Sequence, residues 1–257
     1  MKGKKPLILV TNDDGINAPG IRNLIEVMQE LGDVFVVAPD KPQSGMGHAI
    51  TINSLLRLQK ISSNGLSNEY SCSGTPVDCV KMAISKLMDR KPDLIVSGVN
   101  HGSNSSINII YSGTMSAAVE GAIEDIPSIG FSLCNFSIDA DFSITKKYIK
   151  KICENVLLEG LPQGVCLNVN FPSIKAELIE GIKICRQSKA IWEEVFEERI
   201  DPSGKAYYWL TGNFKLQEEG TDTDEWALRN NYISVVPVQI DFTAHEAIPK
   251  LLKWKIE

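Results

Sequence analysis

Short runs of consecutive apolar residues alternate along the chain with longer stretches of helical period. Leu7-Ile8-Leu9-Val10 has the length and β-branched content of a buried parallel strand. Ile21, Leu24, Ile25, Met28 and Leu31 then fall on one face of a helix. The pairing repeats. Asp33–Ala38, Asp93–Ser97, Pro127–Leu133 and Val165–Pro172 predict further strands. Helices are predicted from Val77, Val80, Ile84, Leu87 and Met88, from the small-residue stretch Met115–Ala122, and from Ile144–Leu158 with Tyr148, Ile149, Ile152, Val156 and Leu157 on one side. Such alternation predicts an α/β fold with a doubly wound, mostly parallel sheet.

Two stretches depart from it. Residues Ala49–Ser73 read as extended, with Ile50, Ile52, Leu56 and Leu58 among polar residues, a hairpin signal at Asn64-Gly65 and a returning strand at Glu69–Cys72. This predicts an antiparallel excursion from the sheet. A helix follows at once, with Thr75 as N-cap, Pro76 at the first position and Asp78 placed for a capping box. From about Ile182 the pattern changes again. Asp201-Pro202-Ser203-Gly204 supplies a turn between Trp192–Ile200 and Lys205–Thr211, which predicts a protruding β-hairpin arm. Its aromatics, Trp192, Phe196, Tyr207, Tyr208 and Trp209, suit a subunit interface. A short helix from Thr221, a strand over Tyr232–Ile240 and a closing amphipathic helix complete the chain. The expected division is a catalytic core over 1–181 and, over 182–257, a hairpin arm and oligomerisation segment that returns to the core.

Composition narrows the functional classes. The 257 residues, 43% hydrophobic and 23% charged, suit one large domain or one domain with an extension. A net charge of −6 argues against a nucleic-acid duplex as the main ligand, since such binders present basic surfaces. The apolar stretch behind the basic start Met1–Lys5 ends at Val10, too short for a signal-peptide core, and no apolar run is long enough to span a bilayer. None of the six cysteines forms a C-x-x-C pair, so they read as reduced core thiols of a cytoplasmic protein rather than a zinc site or a disulfide framework.

The candidate chemistry lies in the loops that follow the strands, where open α/β sheets bind ligands. The first carries Thr11-Asn12-Asp13-Asp14-Gly15. Adjacent carboxylates repel unless a positive charge lies beside them, and a divalent cation with hard oxygen ligands is the simplest answer; a solvated Asp-Asp-Gly turn is the plain alternative. The second loop offers Ser44 and His48, and the third offers Asn100 as a neutral oxygen donor, with His101 read as structural. Ser112-Gly113-Thr114 opens the small-residue helix, so unsatisfied N–H groups and two hydroxyls make a seat for phosphate. An oxygen-only site of Asp13, Asp14, Ser44 and Asn100 beside that seat suits phosphate-ester hydrolysis.

Thr11–Gly15, Ala38-Pro39-Asp40 with Gln43-Ser44-Gly45, Gly74-Thr75-Pro76-Val77-Asp78-Cys79, Ser97-Gly98-Val99-Asn100-His101-Gly102 and Tyr111-Ser112-Gly113-Thr114 together resemble, in order and approximate spacing, the motifs of the SurE survival-protein nucleotidases; Gly220-Thr221-Asp222 and Thr243-Ala244-His245 also fit. The resemblance implies a Rossmann-like fold and a phosphatase that acts on nucleoside 5′- and 3′-monophosphates, sometimes on short polyphosphate. It also implies one divalent cation, Mg²⁺ or Mn²⁺, on Asp13, Asp14, Ser44 and Asn100, phosphate contacts at Ser112, Gly113 and Thr114, and homodimers or homotetramers joined through the C-terminal segment. The stretch Thr221–Trp226 is more acidic than the family pattern, which bears on base preference and arm contacts.

The expected chemistry is in-line attack by a metal-polarised water that Asp13 or Asp14 orients or deprotonates, with Asn12 hydrogen-bonded to phosphoryl oxygens. Asp241 and His245 read as a structural pair at a subunit hinge. A dehydrogenase is disfavoured because no G-x-G-x-x-G follows the first strand. A non-catalytic nucleotide or metal sensor and a short-chain polyphosphate hydrolase are the alternatives.

Overall fold

Alternate residues of the first strand, β1 (Leu7–Thr11), enter two different cores. Ile8 and Val10 pack on one side of the sheet, and Leu9 on the other. That is the two-sided burial a parallel strand needs. The structure, a computed structural model, describes residues 5–61, 68–137 and 139–254. The hairpin expected at Asn64-Gly65 lies outside the described residues.

β1 is followed by α1 (Pro19–Leu31) and β2 (Asp33–Pro39). Next come β3 (Leu58–Lys60), β4 (Glu69–Cys72), α2 (Pro76–Met82) with a widened π-helical turn over Ala83–Leu87, and β5 (Leu94–His101). The core series closes with α3 (Gly113–Ile123), β6 (Ser128–Leu133), α4 (Lys146–Glu159) and β7 (Val165–Phe171). β8 (Gly181–Ile184), the arm strands β9 (Ala190–Ile200) and β10 (Ala206–Leu216), α5 (Asp224–Arg229), β11 (Tyr232–Gln239) and α6 (Ile248–Leu251) complete the order.

The main sheet runs β3-β4-β2-β1-β5-β6-β7-β11-β8. From β4 to β7 the strands are parallel, and β1 sits between β2 and β5. The chain therefore leaves β1 toward one edge and resumes at β5 toward the other, and the crevice between their carboxyl ends is the topological switch point. α1 and α4 cover one face with Ile21, Leu24, Met28, Ile149 and Cys153, while α2 and α3 cover the other with Cys79, Val80 and Ala117. The α/β, doubly wound architecture is the one the hydrophobic pattern predicts.

Local details differ from the sequence reading. β3 and β4 are antiparallel to each other, as expected, but β4 also lies parallel to β2 and so belongs to the main sheet. β8 was not predicted: four residues of weak alternation carry little periodic signal, and the strand is held by its parallel pairing with β11. Residues 182–257 thus donate strands to the core sheet, and only β9 and β10 form a separate antiparallel pair. In place of a closing amphipathic helix there is a 3₁₀ turn over His245–Ala247 and the single turn α6. No residue of α6 is buried, and one turn without tertiary packing does not propagate. Among the described residues all six cysteines are free, and no helix is long and apolar enough to cross a membrane.

Candidate active site

The loop after β1 is held from inside. Asn12 is fully buried, and its amide nitrogen donates to the Gly15 carbonyl at 2.9 Å, closing the turn that presents Asp13 and Asp14. Gly15 adopts φ +97° there, a conformation open mainly to glycine. Asn12 thus shapes the loop, and its amide nitrogen keeps a second N–H beyond the one given to Gly15.

Asp13 is 4% exposed. Burial, and after it the neighbouring Asp14 charge, push its carboxyl up to about 6; the Thr114 hydroxyl and backbone N–H groups pull the other way. The Thr114 hydroxyl donates to Asp13 Oδ1 at 2.6 Å. Asp14 is less buried, and its Oδ2 accepts from the His101 backbone N–H at 3.2 Å and faces His101 Nδ1 at 3.3 Å. The His101 ring also stands edge-on to Phe142, 4.7 Å between centroids. His101 therefore has a structural role: it fixes Asp14.

Asn100 owes its placement to an irregularity in β5. Ser97 pairs with Gly130 and Asn100 with Ser132, so β5 carries one residue more than β6 across this step. Such a bulge re-aims the side chains beyond it. Gly98 makes it feasible: its φ is +126°, and a Cβ there would lie 2.3 Å from the Phe131 carbonyl oxygen. Asn100 spends its amide nitrogen on the carbonyls of His101 and Gly102, at 3.1 and 2.9 Å, which leaves its side-chain oxygen as the free donor. Ser44 is exposed and makes no hydrogen bond among the described residues. Its loop is tied to the first by the Gln43 N–H on the Asp13 carbonyl at 2.7 Å.

The start of α3, the predicted seat for phosphate, is capped by a hydroxyl. Ser112 is the N-cap of α3, its hydroxyl accepting from the Met115 N–H at 3.0 Å. Gly113 N–H makes no hydrogen bond among the described residues, so it remains available to an anion, as does the Ser112 hydroxyl proton. Of the three predicted phosphate residues, Thr114 has its hydroxyl committed to Asp13. Gly113 sits so close that a Cβ would come 2.8 Å from Asp13 Cβ.

These donors fit a hard divalent cation. They are two carboxylates, one of them resisting ionisation in isolation, and two neutral oxygens with no competing partner. Among the described residues no group of three or more His, Cys, Asp and Glu side chains is placed to hold a metal. Asp241 and His245 pair with each other at 2.7 Å, both exposed.

Three features escaped the sequence reading. One is the Gly98 bulge. The second is Glu120, buried on α3 and bonded to His48 and Lys81. The third is Asp224, fully buried, which accepts from the Ser106 N–H at 2.7 Å and the Ser188 N–H at 3.0 Å and so ties the base of the arm to the loop after β5. The acidic stretch Thr221–Trp226 was its only signal; Asp222 within it is exposed and pairs with Arg186.

Known proteins share this chain's sequence and fold. The family model described as survival protein SurE matches residues 8–194. The chain is 68% identical over 253 residues to the 5′-nucleotidase SurE of Flavobacterium psychrophilum, covering 98% of each chain. It is 63% identical over 258 residues to the 5′-nucleotidase SurE of Christiangramia forsetii, covering 100% of this chain and 99% of the relative. The crystal structure of the SurE protein from Aquifex aeolicus superposes with a TM-score of 0.84 at 40% identity, covering 96% of this chain and 98% of that one.

Proposed function

The chain belongs to the survival protein SurE family, and on that premise we propose that it is a hydrolase, a phosphomonoesterase that converts nucleoside 5′-monophosphates, and 3′-monophosphates, to nucleoside and inorganic phosphate with one divalent cation, Mg²⁺ or Mn²⁺. The observation that carries this is the docking of an anion-binding helix start directly onto a buried carboxylate, through Thr114 and Asp13 at 2.6 Å. A phosphate seat and a cation site are then neighbours by construction.

Asp13, Asp14, Ser44 and Asn100 would hold the cation. Bound there, it supplies Lewis acidity, neutralising charge on the phosphoryl oxygens and making water nucleophilic near neutral pH. The Gly113 N–H, the Ser112 hydroxyl and the positive end of α3 bind the phosphate and favour the charge that builds on it. Thr114 and His101 fix the two carboxylates, so their geometry precedes substrate binding. Asp14, the more accessible of the two, orients the attacking water. The hairpin arm and the segment beyond residue 181 join copies of the chain into a homodimer or homotetramer.

Phosphate release from AMP, measured with Mg²⁺ or Mn²⁺ and with EDTA, tests the reading. Chelator-sensitive release is the expected result. Tight AMP binding without release would identify a sensor, and faster release from tripolyphosphate than from any nucleotide would favour polyphosphate hydrolysis.

A further inference from the structure

We propose that His48 is a positioning residue for Ser44: its hydrogen bond to the buried carboxylate of Glu120 pins the loop Gln43–His48 and so fixes where the Ser44 hydroxyl stands. The proposal rests on the reading of Ser44 as a cation donor.

Glu120 lies in α3 with 2% of its side chain exposed. Each of its oxygens has one partner: Oε2 meets His48 Nε2 at 3.0 Å, and Oε1 accepts from Lys81 Nζ at 2.5 Å. A carboxylate this buried is costly unless it is paired and hydrogen-bonded. Burial opposes its ionised form, but the bonds from His48 and Lys81 outweigh it and hold the carboxyl below its usual range. Lys81 belongs to α2, so the two helices already neutralise the charge between themselves. What His48 adds is therefore an anchor for the loop.

The loop needs one. Gly45 and Gly47 have φ of +72° and +53°, and a Cβ at Gly45 would meet nothing within 4 Å. Ser44, Gly45 and Met46 make no hydrogen bonds among the described residues and are exposed. Before them, the Gln43 N–H is held by the Asp13 carbonyl at 2.7 Å; after them, the Gly47 N–H reaches the Tyr111 carbonyl at a longer 3.2 Å. Farther on, the chain is fixed to the cap of α2, by the Thr75 hydroxyl on the Ala49 carbonyl at 2.8 Å and by the Thr51 hydroxyl on Asp78 at 2.6 Å. His48 supplies the side-chain anchor between these points. It also joins the Ser44 loop to the same helix that carries the phosphate seat, so both halves of the site are referenced to α3.

The test is Mn²⁺ titration of the full chain followed by the signal of free Mn²⁺. It is done without nucleotide, because His48 also borders a groove of about 770 Å³ along α3. Wild type, His48→Ala, His48→Gln, Ser44→Ala and Asp13→Asn are compared, with amide exchange over Gln43–Gly47 as a second readout. Partners of metal ligands typically contribute about tenfold or more in affinity. His48→Ala is therefore expected to weaken Mn²⁺ binding about tenfold and to speed exchange in the loop, while kcat for AMP recovers at saturating Mn²⁺. His48→Gln, which keeps a donor for Glu120, restores most of the affinity. If His48→Ala binds Mn²⁺ as wild type does while Ser44→Ala and Asp13→Asn lose it, the positioning role is overturned and the site stands. If Ser44→Ala itself binds normally, the assignment of Ser44 falls first, and the role of His48 falls with it.

Discussion

The Thr114 hydroxyl donates to Asp13 Oδ1 at 2.6 Å, joining the first turn of α3 to the loop after β1. This bond lowers the pKa of Asp13 against the burial that raises it. Replacing Thr114 with valine keeps the volume and removes the donor, so the Asp13 pKa rises above its present value of about 6. A proton then competes with the cation over a wider range. The pH at which Mn²⁺ affinity falls away should move upward in Thr114→Val and stay in place in Thr114→Ser. An unshifted titration in the valine variant would show that the bond does not tune the carboxylate.

Asp13 carries an opposition between stability and activity. Its folded-state pKa of about 6 lies above the 3.8 of an ordinary aspartate. Stability linked to its proton is therefore complete below pH 3.8 and is lost as pH rises to about 6, a penalty on the order of 3 kcal/mol in the cation-free protein. Asp13→Asn removes the charge and keeps an oxygen for Thr114. The cation-free variant is expected to melt several degrees above wild type at pH 7.5, and no higher at pH 4. Its chelator-sensitive release of phosphate from AMP should fall by roughly two orders of magnitude or more. Near-normal turnover would refute the ligand assignment.

Gly113 has no room for a side chain. A Cβ there would stand 2.8 Å from Asp13 Cβ and 3.1 Å from Asp13 Oδ2. Gly113→Ala must push the helix start and the carboxylate apart. Helix propensity favours alanine by about 1 kcal/mol, which offsets part of the strain on folding. Turnover has no such compensation and should fall about a hundredfold, since misplacement by an ångström carries that cost. Steady-state kinetics together with a melting curve separate the two effects.

The core strands β1, β2, β5, β6 and β7 and the helices between them were legible because each rests on a local rhythm of apolar residues. β1 and α1 differ from the predicted spans only at their ends. The cap of α2 was legible to the residue, because Thr75, Pro76 and Asp78 act on neighbours in the chain. Less visible were features made by contacts distant in sequence. The bulge at Gly98 exists because β6 fixes the register on either side of it. Glu120 looks like an ordinary charged residue in a small-residue helix until His48 and Lys81 are brought to it.

The cap of α2 also holds the far end of the Ser44 loop. Thr75 accepts from the Asp78 N–H at 3.2 Å and donates to the Ala49 carbonyl at 2.8 Å. Thr75→Ala removes both interactions, with an expected cost of about 1–2 kcal/mol. For a chain of this size that corresponds to a fall of about 2–8 °C in melting temperature. Thr75→Ser should restore most of it, because the hydroxyl alone makes both bonds. A melting temperature unchanged in Thr75→Ala would mean that solvent replaces them.

The arm carries the last prediction. In the β9–β10 register, Phe196 faces Leu210, Trp192 faces Phe214 and Tyr208 lies opposite Glu198, so one face of the hairpin gathers large apolar side chains, interrupted only by Glu194 and Glu198. Phe196 and Leu210 are 64% and 59% exposed in the single chain. A two-stranded ribbon is marginal in water unless something covers it, and an exposed strip of this kind marks an association surface. Placing charges at its centre, with Phe196→Glu and Leu210→Glu together, is expected to shift the protein to a smaller species in size-exclusion chromatography with light scattering. The core sheet, whose pairings lie elsewhere, should keep its circular dichroism. If the doubly substituted chain elutes at the same mass as wild type, the arm is not what joins the copies.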